Sequence, residues 1–211
     1  MSFVGIDVGA RRLHVVVLGD AGHVEDGCVL AATDWETVLA MCRGAECVAI
    51  DSPEKLSIAP HRGDTAVDGR TLSNKFRNAR CAEIGLGIRH RIWVPWVTPQ
   101  TDPSEWMKVG IDLFGHLHAA SIQAIEVYPH AGFRVLAGGK QLPKKTEFPG
   151  MMECVDLLRR SGVDTAWLSL WSHDALDATL AAIVARDHYA GRAHLATCGH
   201  DGSAIWLPAP L

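Results

Sequence analysis

The sequence predicts an α/β fold in which helices flank a mixed five-stranded sheet. Short apolar runs typical of buried strands are interspersed with longer segments whose apolar residues recur at helical spacing. The first three runs follow one another closely, which favours antiparallel pairing, whereas a helix precedes the fourth, which favours a parallel crossover. The composition fits this fold class, because 48% hydrophobic and 21% charged residues are typical of a globular protein.

The first quarter of the chain contains most of the strand signals. We predict strands over 3–8, 13–18 and 23–32, a helix over 36–41 and a fourth strand over 47–51. Asp34 is the predicted N-cap of the helix, and Gly44 ends it. Ser52 and Pro53 close the fourth strand, because proline cannot donate a hydrogen bond to a neighbouring strand.

Beyond residue 52 the pattern loosens into two predicted insertions, at about 52–91 and 129–150. Within and around them we predict a helical stretch near 72–86, a short strand at 92–94, a helix over 103–121, a strand over 124–128, helices over 150–160 and 173–189, and a hairpin over 194–207. This is the element order of the ribonuclease-H-like fold. We therefore expect one ribonuclease-H-like domain over residues 1–211, with these insertions and a C-terminal hairpin.

Acidic residues end two of the predicted strands in matching contexts. Asp7 follows Val-Gly-Ile and Asp51 follows Val-Ala-Ile. Neighbouring parallel strands lie about 4.8 Å apart, so acids at their carboxyl ends would converge where open α/β sheets bind ligands. The alternative is that each aspartate only caps a turn, which aspartate often does.

Three further acids lie in apolar surroundings. Glu126 sits inside the predicted strand 124–128, where a buried carboxylate needs a partner or a metal, unless the strand is an edge strand and Glu126 faces water. Asp174 and Asp177 open the last helix and share one of its faces. Acids in a first turn also complement the helix dipole, with Ser172 as N-cap, which would explain one of them without a metal.

Four short motifs around these acids resemble those of a known family. In chain order they are Gly5-Ile6-Asp7-Val8-Gly9, Ala49-Ile50-Asp51-Ser52-Pro53, Ile125-Glu126-Val127-Tyr128-Pro129 and Asp174-Ala175-Leu176-Asp177-Ala178. Together they resemble domain-of-unknown-function family 429, a group of predicted nucleases in the ribonuclease-H-like superfamily. The Asp-x-x-Asp-Ala helix also resembles the last motif of bacterial Holliday-junction resolvases. Asp51 stands where resolvases and ribonucleases H usually have the longer glutamate.

The predicted function is metal-dependent hydrolysis of phosphodiester bonds in DNA or RNA. In-line cleavage gains from two divalent ions roughly 3.5–4 Å apart, and hard ions such as Mg²⁺ or Mn²⁺ prefer carboxylate oxygens. Asp7 is the predicted ligand shared by both ions. Asp51 and Glu126 are expected to bind one ion or to orient its water molecules, and Asp174 and Asp177 to bind the other. All five acids are predicted to be both metal ligands and catalytic residues.

Positive charge is concentrated in residues 70–91 of a chain whose net charge is −4. The basic residues there, accompanied by Glu83 as the single acid, are Arg70, Lys75, Arg77, Arg80, Arg89 and Arg91. Lys144 and Lys145 belong to a smaller cluster in the second insertion. We predict that both groups contact nucleic-acid phosphates, with an ordinary solvated helix face as the alternative.

Cysteine usage and hydropathy favour a soluble cytoplasmic protein without a membrane partner. The six cysteines are scattered and include no C-x-x-C pair, so the sequence predicts neither a zinc ribbon nor a disulfide scaffold. The sequence opens directly into a core-like run without a signal peptide, and no apolar stretch reaches the roughly 18 residues of a membrane-spanning helix.

Two other functions remain open at this stage. Asp7-Val8-Gly9 beside a hairpin also suits the phosphate-binding loop of an actin-like or sugar-kinase-like phosphotransferase, although such proteins normally need two domains of this kind. A non-catalytic member of the fold that binds nucleic acid or protein is the other alternative. His130 and His173 are candidates for proton transfer, against the more common structural role of a lone histidine. DNA or RNA as substrate, endo- or exonuclease action and oligomeric state are left open.

Overall fold

The computed structural model describes residues 1–166 and 172–211. The strands are β1 (Ser2–Val8), β2 (Arg12–Gly19), β3 (Val24–Ala31), β4 (Cys47–Asp51), β5 (Ala66–Val67), β6 (Arg70–Thr71), β7 (Ala124–Glu126), β8 (His194–Ala196) and β9 (Ile205–Leu207). The helices are α1 (Trp35–Cys42), α2 (Cys81–His90), α3 (Glu105–Ala119), α4 (Pro129–Leu136), α5 (Phe148–Arg160) and α6 (His173–Tyr189). None of the helices in these ranges is long and apolar enough to cross a membrane.

The main sheet has five strands in the order β3-β2-β1-β4-β7. Strand β1 pairs antiparallel with β2 and parallel with β4, and β7 adds to β4 in parallel. Helix α1 supplies the crossover between β1 and β4, as parallel pairing requires. The predicted mixed five-stranded sheet flanked by helices, in the ribonuclease-H-like order, is confirmed.

The two faces of the sheet are covered by different helices. Val4, Ile6 and Ile50 pack in one apolar cluster with residues of α1 and α3. On the other face Phe3 and Ala49 pack with the alanines of α6. Successive residues of a strand point to opposite faces, so this division also determines on which face each strand-end acid lies.

Helix α6 approaches β1 closely enough to require glycine on the strand. A Cβ atom added at Gly5 would collide with the carbonyl oxygen of Ala178 and the backbone nitrogen of Ala182. The small alanine side chains on this face of α6 allow the helix to approach the sheet this closely. The contact places the first turns of α6 over the carboxyl ends of β1 and β4.

The structure differs from the predicted elements mainly in the insertions. The helix predicted near 72–86 begins only at Cys81, where the Glu83 carboxylate accepts a hydrogen bond from the backbone N–H of Arg80. The strand predicted at 92–94 is absent from this described part of the chain. Pro129, the residue after the predicted strand 124–128, opens α4, since a proline at the first helical position leaves no intrahelical hydrogen bond unmade.

Candidate metal-binding site

The parallel register of β1 and β4 places two acids side by side. Asp7 pairs with Asp51 at the carboxyl ends of these strands. Alternation along β1 puts Asp7 on the same face as Gly5, which lies against α6. The two carboxylates therefore lie side by side, as the matching sequence contexts predicted, and both project toward the helix.

Helix α6 brings two more acids to the same place. Ser172 is its N-cap and accepts a hydrogen bond from the first turn, as predicted. Asp174 and Asp177 are three residues apart and share a face of the helix. One carboxylate oxygen from each of Asp7, Asp51 and Asp177 lies within 4.8 Å of the others. We call these three residues the acidic cluster. Asp177 lies more than 100 residues along the chain from the other two.

A histidine that the sequence analysis missed extends the cluster. His14 pairs with Asp7 across the β1–β2 hairpin, and its Nδ1 lies 3.7 Å from Asp7 Oδ2. Its Nε2 lies 3.9 Å from Asp174 Oδ2, so Asp7, His14 and Asp174 form a second group of closely spaced potential ligands. Its position opposite Asp7 in a predicted hairpin was the available signal, because residues that pair across strands share a face.

Of the two histidines named from the sequence, one lies at the acids. His173 Nε2 is 2.9 Å from Asp174 Oδ1. His130, at the start of α4, lines a neighbouring cavity. Burial lowers the pKa of His14, and the charge on Asp174 partly offsets this effect. A neutral imidazole at that position is able to ligate a metal or accept a proton.

Crowding makes the acids hard to ionise without a cation. Burial, followed by the charge on Asp174, raises the pKa of Asp7 from 3.8 to about 7. Burial and the neighbouring Asp7 raise the pKa of Asp51 well above its ordinary value. Each carboxylate is thus penalised both by loss of water and by the other negative charges. Ionisation of these acids therefore requires compensating positive charge close by.

Lys145 partly supplies that charge. Its ammonium group contacts Asp177 Oδ2, and its charge opposes the pKa increase at both Asp7 and Asp51. Burial lowers the pKa of Lys145 itself, while the surrounding carboxylates act in the opposite direction. The second oxygen of Asp177 is buried and accepts no hydrogen bond from the described residues. One lysine therefore leaves the cluster incompletely neutralised.

Glu126 lies apart from the acidic cluster. Its register partner is Ile50, so it belongs to the sheet face opposite Asp51. Both of its carboxylate oxygens accept hydrogen bonds of 2.6 Å from Arg80, and one accepts a third from the backbone of Glu54. The structure thus places Glu126 at the edge of the sheet but buried in an ion pair, which differs from the predicted position among the metal ligands.

Arg80 likewise departs from its predicted position on a basic surface. It is fully buried and donates to Glu83 as well as to Glu126. A guanidinium held by two carboxylates inside the protein is not available to phosphates, so Arg80 is removed from the predicted surface. The remaining basic residues of that stretch are exposed or half-buried, and they are Arg70, Lys75, Arg77, Arg89 and Arg91.

The predicted lysine pair is divided between surface and site. Lys144 is largely exposed, whereas Lys145 reaches the acidic cluster. A cavity of about 440 Å³ opens next to them, and its lining residues include His130, Arg134, Lys144 and Lys145. The other described lining residues include no acid. A pocket of this size and charge, adjoining a carboxylate cluster, suits an anionic group of a ligand.

The comparisons with known proteins bear on the family and the fold. The profile of a family described as "Protein of unknown function (DUF429)" matches residues 108–200. The predicted resemblance to family 429 is confirmed over this range. The range of family 429 includes Glu126, Lys145 and the Asp174–Asp177 helix. No curated protein matches the chain.

Solved structures with similarity to the chain include RuvC from Thermus thermophilus. It is 14% identical, with a TM-score of 0.48, and the match covers 98% of this chain and all of that one. The same protein in complex with a Holliday junction substrate gives 14% identity and a TM-score of 0.47, covering 98% and 99% of the two chains. A putative sugar kinase from Cytophaga hutchinsonii is 15% identical over 64% of this chain and 38% of its own, with a TM-score of 0.28.

Proposed function

We propose that this protein is a divalent-metal-dependent nuclease whose metal ligands are Asp7, Asp51 and Asp177, with Asp174 and His14 adjoining them. The observation that carries the proposal is the convergence of the three carboxylates within 4.8 Å of one another. Burial of like charges at such spacing is unfavourable unless protons or cations neutralise them. A carboxylate cluster of this kind is typical of catalytic sites that require bound divalent cations.

The donor set selects the class of cation. Carboxylate oxygens are hard ligands and favour Mg²⁺ or Mn²⁺ over softer ions. The buried oxygen of Asp177 that accepts no hydrogen bond from the described residues is a further site for such an ion. The residues present therefore fit a hard divalent cation. When bound, such an ion would activate water and stabilise the charge on a leaving phosphate oxygen.

The chain's own residues suit the remaining parts of the reaction. His14 lies between Asp7 and Asp174, where a neutral imidazole can accept a proton from water near the carboxylates. The cavity near Lys144 and Arg134 places positive charge beside the acids, where an anionic substrate backbone would lie. Glu126 is left out of the proposed ligand set because Arg80 holds both its oxygens.

A cleavage assay over a panel of nucleic acids tests the proposal. Single-stranded and duplex DNA, RNA and a four-way DNA junction are incubated with the protein in Mg²⁺, in Mn²⁺ and in chelator. We expect hydrolysis of at least one substrate with either ion and none in chelator. Absence of cleavage of every substrate, with Mn²⁺ bound saturably, would instead support the non-catalytic alternative. Absence of both cleavage and Mn²⁺ binding would reject the metal site as well.

Lys145 offers a separate test, because its ammonium would compete with a metal ion for Asp177. Lys145→Met keeps most of the apolar stem and removes the charge. At about pH 8, where Asp7 is ionised, we expect Mn²⁺ to bind about tenfold more tightly, which corresponds to about 1.4 kcal/mol. Isothermal titration calorimetry measures the change.

Lys144→Met is the matched control, since the neighbouring Lys144 is largely exposed and contacts Glu147 instead of the acidic cluster. It should bind Mn²⁺ as the unmodified protein does. An unchanged or weaker affinity in Lys145→Met would show that the lysine and the metal do not share a position. Tighter Mn²⁺ binding without a gain in cleavage would indicate that Lys145 also contacts the substrate.

A further inference from the structure

A second cluster of metal-ligating side chains lies away from the acidic cluster. His61, from the segment after β4, has its Nε2 3.2 Å from Cys198 Sγ and 3.7 Å from Cys81 Sγ. Cys81 opens α2, and Cys198 follows β8. His61 and Cys81 are buried, and all three potential ligand atoms lie within 4.8 Å of one another. Three distant segments of the chain thus present two thiols and an imidazole to one point.

The spacing matches that of ligands around a tetrahedral ion. With zinc–sulfur bonds of about 2.3 Å and zinc–nitrogen bonds of about 2.0–2.1 Å, tetrahedral geometry separates nitrogen from sulfur by about 3.5–3.6 Å. The two observed nitrogen–sulfur distances, 3.2 Å and 3.7 Å, lie on either side of this value. Small side-chain adjustments would equalise them.

Hydrogen bonds from neighbouring residues orient His61 and Cys81 in the way that is usual for metal ligands. His61 Nδ1 lies 2.8 Å from Asp64 Oδ2, which directs the other nitrogen, Nε2, toward the thiols. Carboxylate–histidine pairs of this kind accompany metal-ligating histidines. The backbone N–H of His200 donates to Cys81 Sγ over 3.3 Å, and Gly199, at a φ of 90°, provides the turn that makes this possible.

We propose that His61, Cys81 and Cys198 bind a zinc ion, with His200 as the fourth ligand. Two sulfurs and imidazole nitrogens are a donor set that favours zinc over the hard ions proposed for the acidic cluster. The His200 ring lies edge-on to the His61 ring, with ring centroids 4.7 Å apart, and it is exposed, so it can turn toward the ion. Binding releases the protons of both thiols.

The site would act as a structural clamp. It joins the segment after β4, the start of α2 and the loop between β8 and β9, none of which belongs to the five-stranded sheet. Arg80, which holds Glu126 at the end of β7, directly precedes Cys81. The zinc site would therefore hold the insertion against the end of the sheet, and it does not depend on the proposed nuclease function.

Zinc content provides the test. Protein purified from zinc-supplemented medium, desalted and assayed by elemental analysis should hold one zinc ion per chain. The double variant Cys81→Ser with Cys198→Ser should lose it, whereas Cys154→Ser, a change at a buried cysteine elsewhere, should keep it. Asp7→Asn should also keep it, which separates this ion from any bound by the acids. Cobalt substitution should add thiolate-to-metal charge-transfer absorption.

Asp64→Asn keeps the test informative if the cysteine variant fails to fold. The Asp64 side chain is half exposed, so the change should leave folding intact, yet it should weaken zinc binding roughly 10–100-fold. Three results would each overturn the proposal. The unmodified protein could contain no zinc after reconstitution, or the cysteine double variant could still hold one zinc ion per chain. The third is a Cys81–Cys198 disulfide, detected by mass spectrometry under non-reducing conditions.

Discussion

Asp7→Asn is expected to lower the rate of metal-dependent cleavage sharply and to stabilise the metal-free protein. Asp7 belongs to both groups of closely spaced ligands, so its loss disturbs the whole proposed site. Metal ions supply several kcal/mol of charge stabilisation in such reactions, so the rate should fall by a factor on the order of 10³. Single-turnover cleavage of the substrate identified in the panel measures this change.

The effect on stability follows from the raised pKa of Asp7. The pKa is about 7 in the folded protein against an ordinary value of 3.8, so the folded state holds this proton more tightly than the unfolded state does. Proton binding by Asp7 therefore adds to the free energy of unfolding below about pH 4, and this contribution is lost as the pH rises to about 7. Removing the ionisable group should raise the free energy of unfolding by roughly 2–4 kcal/mol at about pH 8, and by little near pH 4.

Urea unfolding in chelator at the two pH values checks this prediction. Asp112→Asn, at an exposed position of α3, is the matched control and should change neither cleavage nor stability. A fully active Asp7→Asn would remove Asp7 from the mechanism. Asp7→Asn could instead be inactive and also less stable than the unmodified protein at about pH 8. That result would show that contacts within the protein already stabilise the ionised Asp7 carboxylate, so that it needs no cation.

Arg80→Met should be the most destabilising of the changes considered. Arg80 is fully buried and donates hydrogen bonds to the buried carboxylates of Glu83 and Glu126. Removing one partner of a buried ion pair leaves an uncompensated charge, which costs about 3–5 kcal/mol. The lost stability should appear as a lower urea midpoint or as insoluble protein. Arg89→Met, at an exposed position of α2, is the control and should keep the urea midpoint of the unmodified protein.

A compensating variant separates charge from packing. Adding Glu83→Gln and Glu126→Gln to Arg80→Met removes both stranded charges, and we expect it to recover part of the lost stability. No recovery would mean that the shape of the guanidinium, and not its charge, supports this edge of the sheet. Wild-type stability in Arg80→Met would contradict the buried ion pair itself.

Several features could be predicted because their causes are local. Asp34 and Ser172 cap helices that begin immediately after them, and each cap depends on a few neighbouring residues. Asp7 and Asp51 converge because both end apolar strands, and a short helix between those strands imposes parallel neighbours. The sequence indicated the acids of α6 in the same way, through a three-residue spacing.

Other features depend on which distant side chains neutralise one another. Glu126 was grouped with the acids, but its register with Ile50 turns it to the other face, where Arg80 meets it. The basic stretch alone predicts a surface position for Arg80, because no local pattern distinguishes a buried arginine from an exposed one. Lys145 and His14 were not assigned to the acids, because only the folded chain brings them there.

The sequence alone determined the chain order of the five strands of the main sheet and of helices α1, α3, α5 and α6. It also determined the resemblance to family 429 and the acids that end β1 and β4 and open α6. The tertiary structure decided that Glu126 pairs with Arg80, that Lys145 reaches Asp177 and that two cysteines without a motif meet at His61. The physical reason is range: periodicity and capping act over a few residues, whereas the partner of a buried charged or polar group is chosen by packing across the whole domain.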